Sequence, residues 1–302
     1  MNVKVIDNQS SQTHPFLSPS WLNNCGTPYS VFEVGTTKVA LSRFTSKGVK
    51  ILATPPWALD CGLSPSCSKE EYKALVKSWI DRNESLKIID LPPSGKESEI
   101  SADWIKHNTP KGFRIQWKHT RQIHFSGDLD DVKLPSNREK QIRRASREGI
   151  VCTTVDSWSE VISLHQESRE RKGILTNYDK LEKLLTSISS EEYCFAIEAR
   201  NNDGECIASG GFIMVNRSTC LYSFGGQKRS KLSGFASVAL LAHAINEARS
   251  RGASIFDFGG SSDPGVDIFY KEFGAESIPK ARLIQIRWWL KPFVRFMRPD
   301  LF

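Results

Sequence analysis

The order of elements between residues 218 and 289 narrows the fold most. "STCLYSFGG" reads as a strand ending on Gly225 and Gly226, a polar loop follows, and an apolar helix runs from about Phe235 to Ser250. The strand "SIFDFGG", the short helix "DIFYKEFGA" and the strand "ARLIQIRWW" complete the run. Helices interleaved with strands bury their apolar sides on a sheet, so the region predicts an α/β (α+β) sheet covered by helices.

Upstream, "YCFAIEARN" and "CIASGGFIMVN" predict a hairpin around Asn202, Asp203 and Gly204. Two helices precede it, "SWSEVISLHQESRERKG" with Ser157 as cap and "NYDKLEKLLTSIS". The first half has a similar grammar. "YSVFEVG", "KVALSRFT" and "VKILAT" read as strands, and "SKEEYKALVKSWIDRN" as a helix capped by Ser68, with Tyr72, Leu75, Val76 and Trp79 on one face. The strand "SLKIIDLPP", the helix "ESEISADWIKHN" and a strand pair, "GFRIQWKH" and "RQIHFSG", follow. Element order alone therefore predicts two lobes, each a mixed sheet covered by helices: residues 1–135, a basic linker helix 136–149, and residues 150–302.

The net charge of +7 is concentrated. Residues 1–135 hold 17 Lys/Arg against 14 Asp/Glu, and residues 150–286 hold 15 against 17. The excess lies in "SNREKQIRRASREG", 136–149, with five basic and two acidic residues, and in "RWWLKPFVRFMRPDLF", 287–302, with four and one. Such segments suit phosphates or anionic lipid, or are simply solvated. No apolar run approaches the roughly 20 residues of a bilayer-spanning helix, and "MNVKVIDNQSSQTHPF" lacks a hydrophobic signal core. Seven cysteines without a CxxC pair give neither a disulfide framework nor a metal site, so a cytoplasmic protein without metal is expected.

The junction "GGQKRSKLSGFASVALLAHAINEARSRG" carries the clearest binding signal. A helix start presents unpaired N–H groups and the positive end of the helix dipole to an anion such as a pyrophosphate. Lys231, Leu232, Ser233, Gly234, Phe235 and Ala236 fit K-x-x-G-x-A, in which small residues admit a close ligand and lysine adds charge. An ordinary loop-to-helix glycine is the competing explanation.

This loop and helix, "FDFGG" and "FYKEFGAE" together resemble the GNAT superfamily of N-acyltransferases. Its phosphate loop is usually Q/R-x-x-G-x-G/A; here Lys231 takes the first position, with Arg229 and Gln227 nearby, and its Gly-Phe turn is Gly274-Ala275. The basic segment with Asn137, Arg138, Arg143 and Arg144, followed by the late "DFGG…YKEFGA" block, is similar to the FemAB-like group, which has two GNAT-like halves. The likeness covers residues 136–290, and the first half matches in architecture only. That group includes acyl-CoA-dependent N-acyltransferases and peptidyltransferases that use aminoacyl-tRNA to extend cell-wall precursors.

The resemblance implies that Tyr270 is the general acid beside a thioester sulfur; a packing aromatic beside Phe269 and Phe273 is the alternative. Asp257, on the preceding strand, is a candidate to bind the acceptor amine or remove its proton, or else a turn-organising carboxylate. Lys271 is placed to meet a phosphate or an acceptor carboxylate, or is solvated, and Arg143 and Arg144 are candidate substrate-binding residues. His243 falls on an apolar helix face, and Cys194, Cys206 and Cys220 read as strand packing residues.

The expected activity is transfer of an acyl group, acetyl above all, from acetyl-CoA or another acyl-CoA to an amino group of a cell-envelope or polysaccharide precursor. The alternatives are a Fem-type aminoacyl-tRNA-dependent peptidyltransferase, a non-catalytic module on a degenerate GNAT fold, and, last, a nucleic-acid binder. The charged heptad-like insertion of tRNA-binding Fem-type hairpins is absent from the sequence, which favours coenzyme A. The partner is a small-molecule or lipid-linked amino acceptor, and the aromatic, cationic tail suits contact with the inner face of the membrane.

Overall fold

Apolar residues repeating at helical or strand spacing fix the elements of both halves. The structure, a computed structural model, describes residues 1–7, 14–95, 98–125, 133–174, 176–260 and 263–302. In chain order come β1 (Lys4–Asp7), α1 (Pro19–Leu22), β2 (Tyr29–Val34), β3 (Thr37–Ser46), β4 (Val49–Ala53), α2 (Lys69–Ile80), β5 (Leu86–Pro93), α3 (Ala102–Asn108) and β6 (Arg114–His124). There follow α4 (Ser136–Arg147), β7 (Val151–Val155), α5 (Ser159–Arg171), α6 (Tyr178–Ser189), β8 (Cys194–Arg200), β9 (Cys206–Val215) and β10 (Thr219–Gln227). The chain continues with α7 (Ser233–Ser250), β11 (Ile255–Asp257), α8 (Pro264–Lys271), β12 (Glu276–Ile286) and α9 (Lys291–Met297).

The chain folds into two compact units, residues 1–119 with 278–302, and residues 120–277. This differs from a division at 135 and 149 for two physical reasons. β12 pairs antiparallel with β5 from Lys280↔Pro93 to Ile286↔Leu86, which ties the end of the chain to the first unit. The 136–149 segment is helical, as its composition suggests, but α4 packs against α7 inside the second unit and is no linker.

In the first unit β1 to β4 are antiparallel neighbours, β4 pairs parallel with β5, and β12 lies beyond β5. Tyr72, Leu75, Val76 and Trp79 of α2 are fully buried in its core. Ser68 caps α2, accepting from the Glu71 N–H at 3.2 Å while Glu71 accepts from the Ser68 N–H at 2.9 Å. Arg282 of β12 donates two hydrogen bonds, at 2.8 and 2.9 Å, to Asp90 on the opposing strand.

In the second unit β7, β8, β9 and β10 are successive antiparallel neighbours, β11 pairs parallel with β10, and the end of β6 pairs antiparallel with β11. In each unit the strands therefore pair both parallel and antiparallel and are helix-covered, the expected α/β class. The strand pair expected over 112–127 is one strand, β6, because "KHTRQ" contains no glycine, proline or other turn former to break it. On one side of the sheet α7 and α8 share a core with Phe212, Phe256 and Phe258. Elsewhere the backbone of α5 comes so close to β10 that a Cβ on Gly226 would lie 2.0 Å from the Leu164 carbonyl oxygen.

Cys194, Cys206 and Cys220 are buried in strands, and all seven cysteines are free thiols. His243 departs from the expected core histidine: it is only half-buried, with Nε2 3.4 Å from the Thr154 hydroxyl. No helix among the described residues is long and apolar enough to cross a membrane.

Candidate active site

The site is organised by two parallel strands that part. β10 and β11 pair only over Thr219–Leu221 and Ile255–Asp257. Beyond Asp257, Gly259 and Gly260 adopt φ of 76° and 75°, a left-handed conformation that suits glycine, and β11 ends. β10 runs on to Gln227 with β9 on its other side, bulged by a register shift between Tyr222 and Phe224. Among the described residues no strand pairs with the β11 side of β10 past Leu221, so that edge is left for a ligand with amide groups. Divergence of neighbours at their carboxyl ends is where α/β sheets bind ligands.

α7 starts just past this edge, at Ser233 rather than near Phe235. Its cap position is Leu232, which has no side-chain acceptor, and no side chain caps the helix. Gly234 is exposed, and a Cβ there would meet nothing within 4 Å. An uncapped start on an 18-residue helix is a suitable anion seat.

The six loop residues divide by role. Ser233 is turned inward: its hydroxyl accepts from the Ser230 N–H at 2.9 Å and donates to the Lys228 carbonyl. Ala236 is fully buried, while Leu232 and Phe235 are half-buried. Lys231 and Arg229 are exposed; Gln227 is committed, its side-chain oxygen accepting from the Ser237 hydroxyl. Lys228 pairs with Glu205 at 2.8 Å. The cations left facing solvent at this loop are therefore Lys231 and Arg229.

Arg144 and Arg143 separate. The Arg144 guanidinium lies 4.5 Å from the centre of the Phe235 ring, which brings it to the phosphate-loop end of α7 rather than to a separate acceptor subsite. Arg143 points outward and pairs with Glu139 at 3.7 Å, an exposed pair of little energetic weight. Arg138, which the sequence pattern includes without assigning a role, proves more tightly built in. It is 2% exposed, packed against both Phe269 and Phe273 at 4.5 and 4.6 Å, and donates to the Phe269 carbonyl at 2.7 Å. It ties α4 to the turn of helix that carries Tyr270.

Tyr270 faces inward from α8, stacked on Phe258 at 4.7 Å and edge-on to Tyr222 at 6.4 Å. Burial, with Tyr222 adding to it, pushes the Tyr270 phenol well above its usual range, and burial raises Tyr222 to about 12. Both stay protonated, so each hydroxyl is able to donate a hydrogen bond. Tyr222 sits in the bulge of β10, a residue that no sequence motif marks; only the two glycines that follow it signal an irregular strand. A second device steadies α8: Arg121 of β6 grips Asp267 with two bonds of 2.8 and 2.7 Å.

Asp257 is not the acceptor-facing base that the strand position allows. It is 2% exposed and accepts from Gln122 Nε2 at 2.6 Å, from the Gly259 N–H at 2.7 Å and from the Thr120 hydroxyl. With both oxygens bonded to its own chain, it organises the turn that takes the backbone off the sheet. Lys271, at the end of α8, is exposed. Ser261 and Ser262 of the connecting turn lie outside the described residues. The geometry thus gathers an anion seat, an open strand edge and a protonated phenol, the parts needed to hold a phosphate-bearing acyl carrier and hydrogen-bond its leaving atom.

Neither a protein-family model nor a curated protein matches the sequence. Among solved structures the fold is similar to that of FemX, with a TM-score of 0.69 at 13% identity over 97% of this chain and 99% of that one. It is also similar to the C-terminal domain of a putative lysylphosphatidylglycerol synthetase from Agrobacterium fabrum, at TM-score 0.55 and 12% identity over 82% of this chain and 81% of that one. L-PGS from Bacillus licheniformis gives TM-score 0.55 at 13% identity over 88% and 86%. The chain has a FemX-like fold.

Proposed function

We propose that this protein is an acyltransferase that moves an acyl group, acetyl above all, from coenzyme A to an amino group of a cell-envelope or polysaccharide precursor. The observation that carries the reading is the uncapped start of α7 set beside the open edge of β10. The pyrophosphate rests on the first-turn N–H groups around Gly234, with Lys231, Arg229 and Arg144 supplying positive charge. The pantetheine arm lies along the diverging edge and brings the thioester toward Tyr270. The neutral acceptor amine attacks the thioester carbonyl as a nucleophile, the C–S bond breaks as the phenol protonates the departing sulfur, and the proton lost by the new ammonium passes through water to restore the phenol.

A second reading, an aminoacyl group carried by tRNA and a peptidoglycan precursor as acceptor, draws on the likeness to FemX along nearly the whole chain. The two are separated by thermal unfolding with acetyl-CoA, on the native chain and on Gly234→Glu. Donor at about 100 times its dissociation constant adds about 2.7 kcal/mol, a shift of a few degrees. We expect that shift in the native chain and its loss in the variant, whose carboxylate occupies the anion seat. No shift in either, with retention of charged tRNA on a filter, replaces the first reading by the second.

A further inference from the structure

The last sixteen residues form a surface that neither donor explains. Half of the exposed large apolar side chains among the described residues fall here: Trp288 (81% exposed), Trp289, Phe293, Phe296 (85%), Met297 and Phe302. The segment is held in place from beneath. Leu290, Val294 and Leu301 are buried in one cluster with Leu86 and Ile284. On α9, at about 100° per residue, Phe296 stands roughly 160° from the buried Val294, with Phe293 and Met297 on one flank and Lys291 and Arg295 on the other. The rings therefore project by construction.

The charges decide what such a surface fits. Arg287, Lys291, Arg295 and Arg298 stand against one acid, Asp300, which is taken by Arg298 at 2.8 Å. Arg295 lies 5.5 Å from the ring of Phe302. Cations, Lys291 among them, are thus interleaved with the rings; a protein–protein interface also takes aromatics and Arg, but it is depleted of Lys and concentrates its charge at the rim rather than among the buried rings. A bilayer interface takes both kinds together: tryptophan rings settle at headgroup depth, apolar side chains reach the acyl boundary, and Lys and Arg meet lipid phosphates.

We propose that residues 287–302 dock this protein peripherally on an anionic lipid surface. Trp288, Trp289, Phe293 and Phe296 insert at the headgroup level and Arg287, Lys291 and Arg295 contact the phosphates. This rests on the tail alone and holds for either donor.

The test is co-sedimentation of the full chain with vesicles of phosphatidylcholine alone or with one third phosphatidylglycerol, with tryptophan emission followed in parallel. We expect sedimentation with the anionic vesicles, a blue shift of emission, and release by salt. Lys291→Gln with Arg295→Gln should weaken partitioning about 25-fold, at about fivefold per cation. Trp288→Ser with Phe296→Ser should abolish it while leaving the thermal unfolding midpoint unchanged, since both side chains are exposed. A native chain that stays in the supernatant with both vesicles overturns the proposal. So does equal partitioning of the serine variant, or a lipid-free dimer that the same substitutions dissolve, which assigns the surface to a second copy.

Discussion

At Tyr270 the proposed chemistry rests on one buried hydroxyl. Burial and the neighbouring Tyr222 hold its proton firmly, so it does not titrate near neutral pH; in the transfer proposed above it gives up the proton only when a developing thiolate draws it away. We expect Tyr270→Phe to lower kcat about a hundredfold with donor affinity unchanged, since the ring stays stacked on Phe258. Undiminished turnover assigns the side chain to packing alone. His165 offers a separate test of burial. Its Nδ1 is buried without a hydrogen-bond partner among the described residues, and desolvation, with Arg169 adding to it, lowers its pKa from 6.5 to about 4. The unfolded chain takes up this proton first, so stability is full above about pH 6.5 and is lost as pH falls toward 4, at about 1.4 kcal/mol per unit. His14, also lowered by burial, contributes in the same direction. Unfolding midpoints across that range should fall less steeply in His165→Leu than in the native chain; an identical slope removes His165 as the cause.

Elements were legible wherever local chemistry was decisive. Ser68 with Glu71 spells a helix start, and the apolar spacing of α2 and α7 could belong only to helices lying on a core. What local chemistry does not encode was not legible: that β11 shrinks to three residues, that β10 bulges at Tyr222, and that β6 passes through Thr120 unbroken. These follow from the neighbours each strand meets. The same holds within the site. Motif marks Gly234 and Tyr270 as candidates, whereas the saturation of Asp257 depends on Thr120 and Gln122, more than a hundred residues earlier in the sequence. Arg138 looked like one more cation in a basic run until Phe269 and Phe273 closed over it.

For the whole molecule, element order gave mixed, helix-covered strands in both halves but not which residues complete each unit. The partnership of β12 with β5 is long-range, and nothing in "ARLIQIRWW" names the first unit as its home. Its weight can be gauged. Leu283, Ile284, Leu290, Val294 and Leu301 are each nearly fully buried, and at about 1.5–3 kcal/mol apiece their burial is comparable to the whole net stability of a domain. A chain ending at Ser277 should therefore lose the protection of residues 1–119 against limited proteolysis. Equal protection shows that the first unit stands without β12.

The second unit is an insertion in the first: the chain leaves one at His119 and returns to it at Ile278. During synthesis, that arrangement inverts the order of completion. The second unit has every residue it requires once Ser277 has been made, while the first, begun earlier, still waits for β12. At about 5–20 residues per second the remaining segment takes seconds to appear. For that interval β5 presents an unpaired flank, open to any other strand until β12 emerges to cover it.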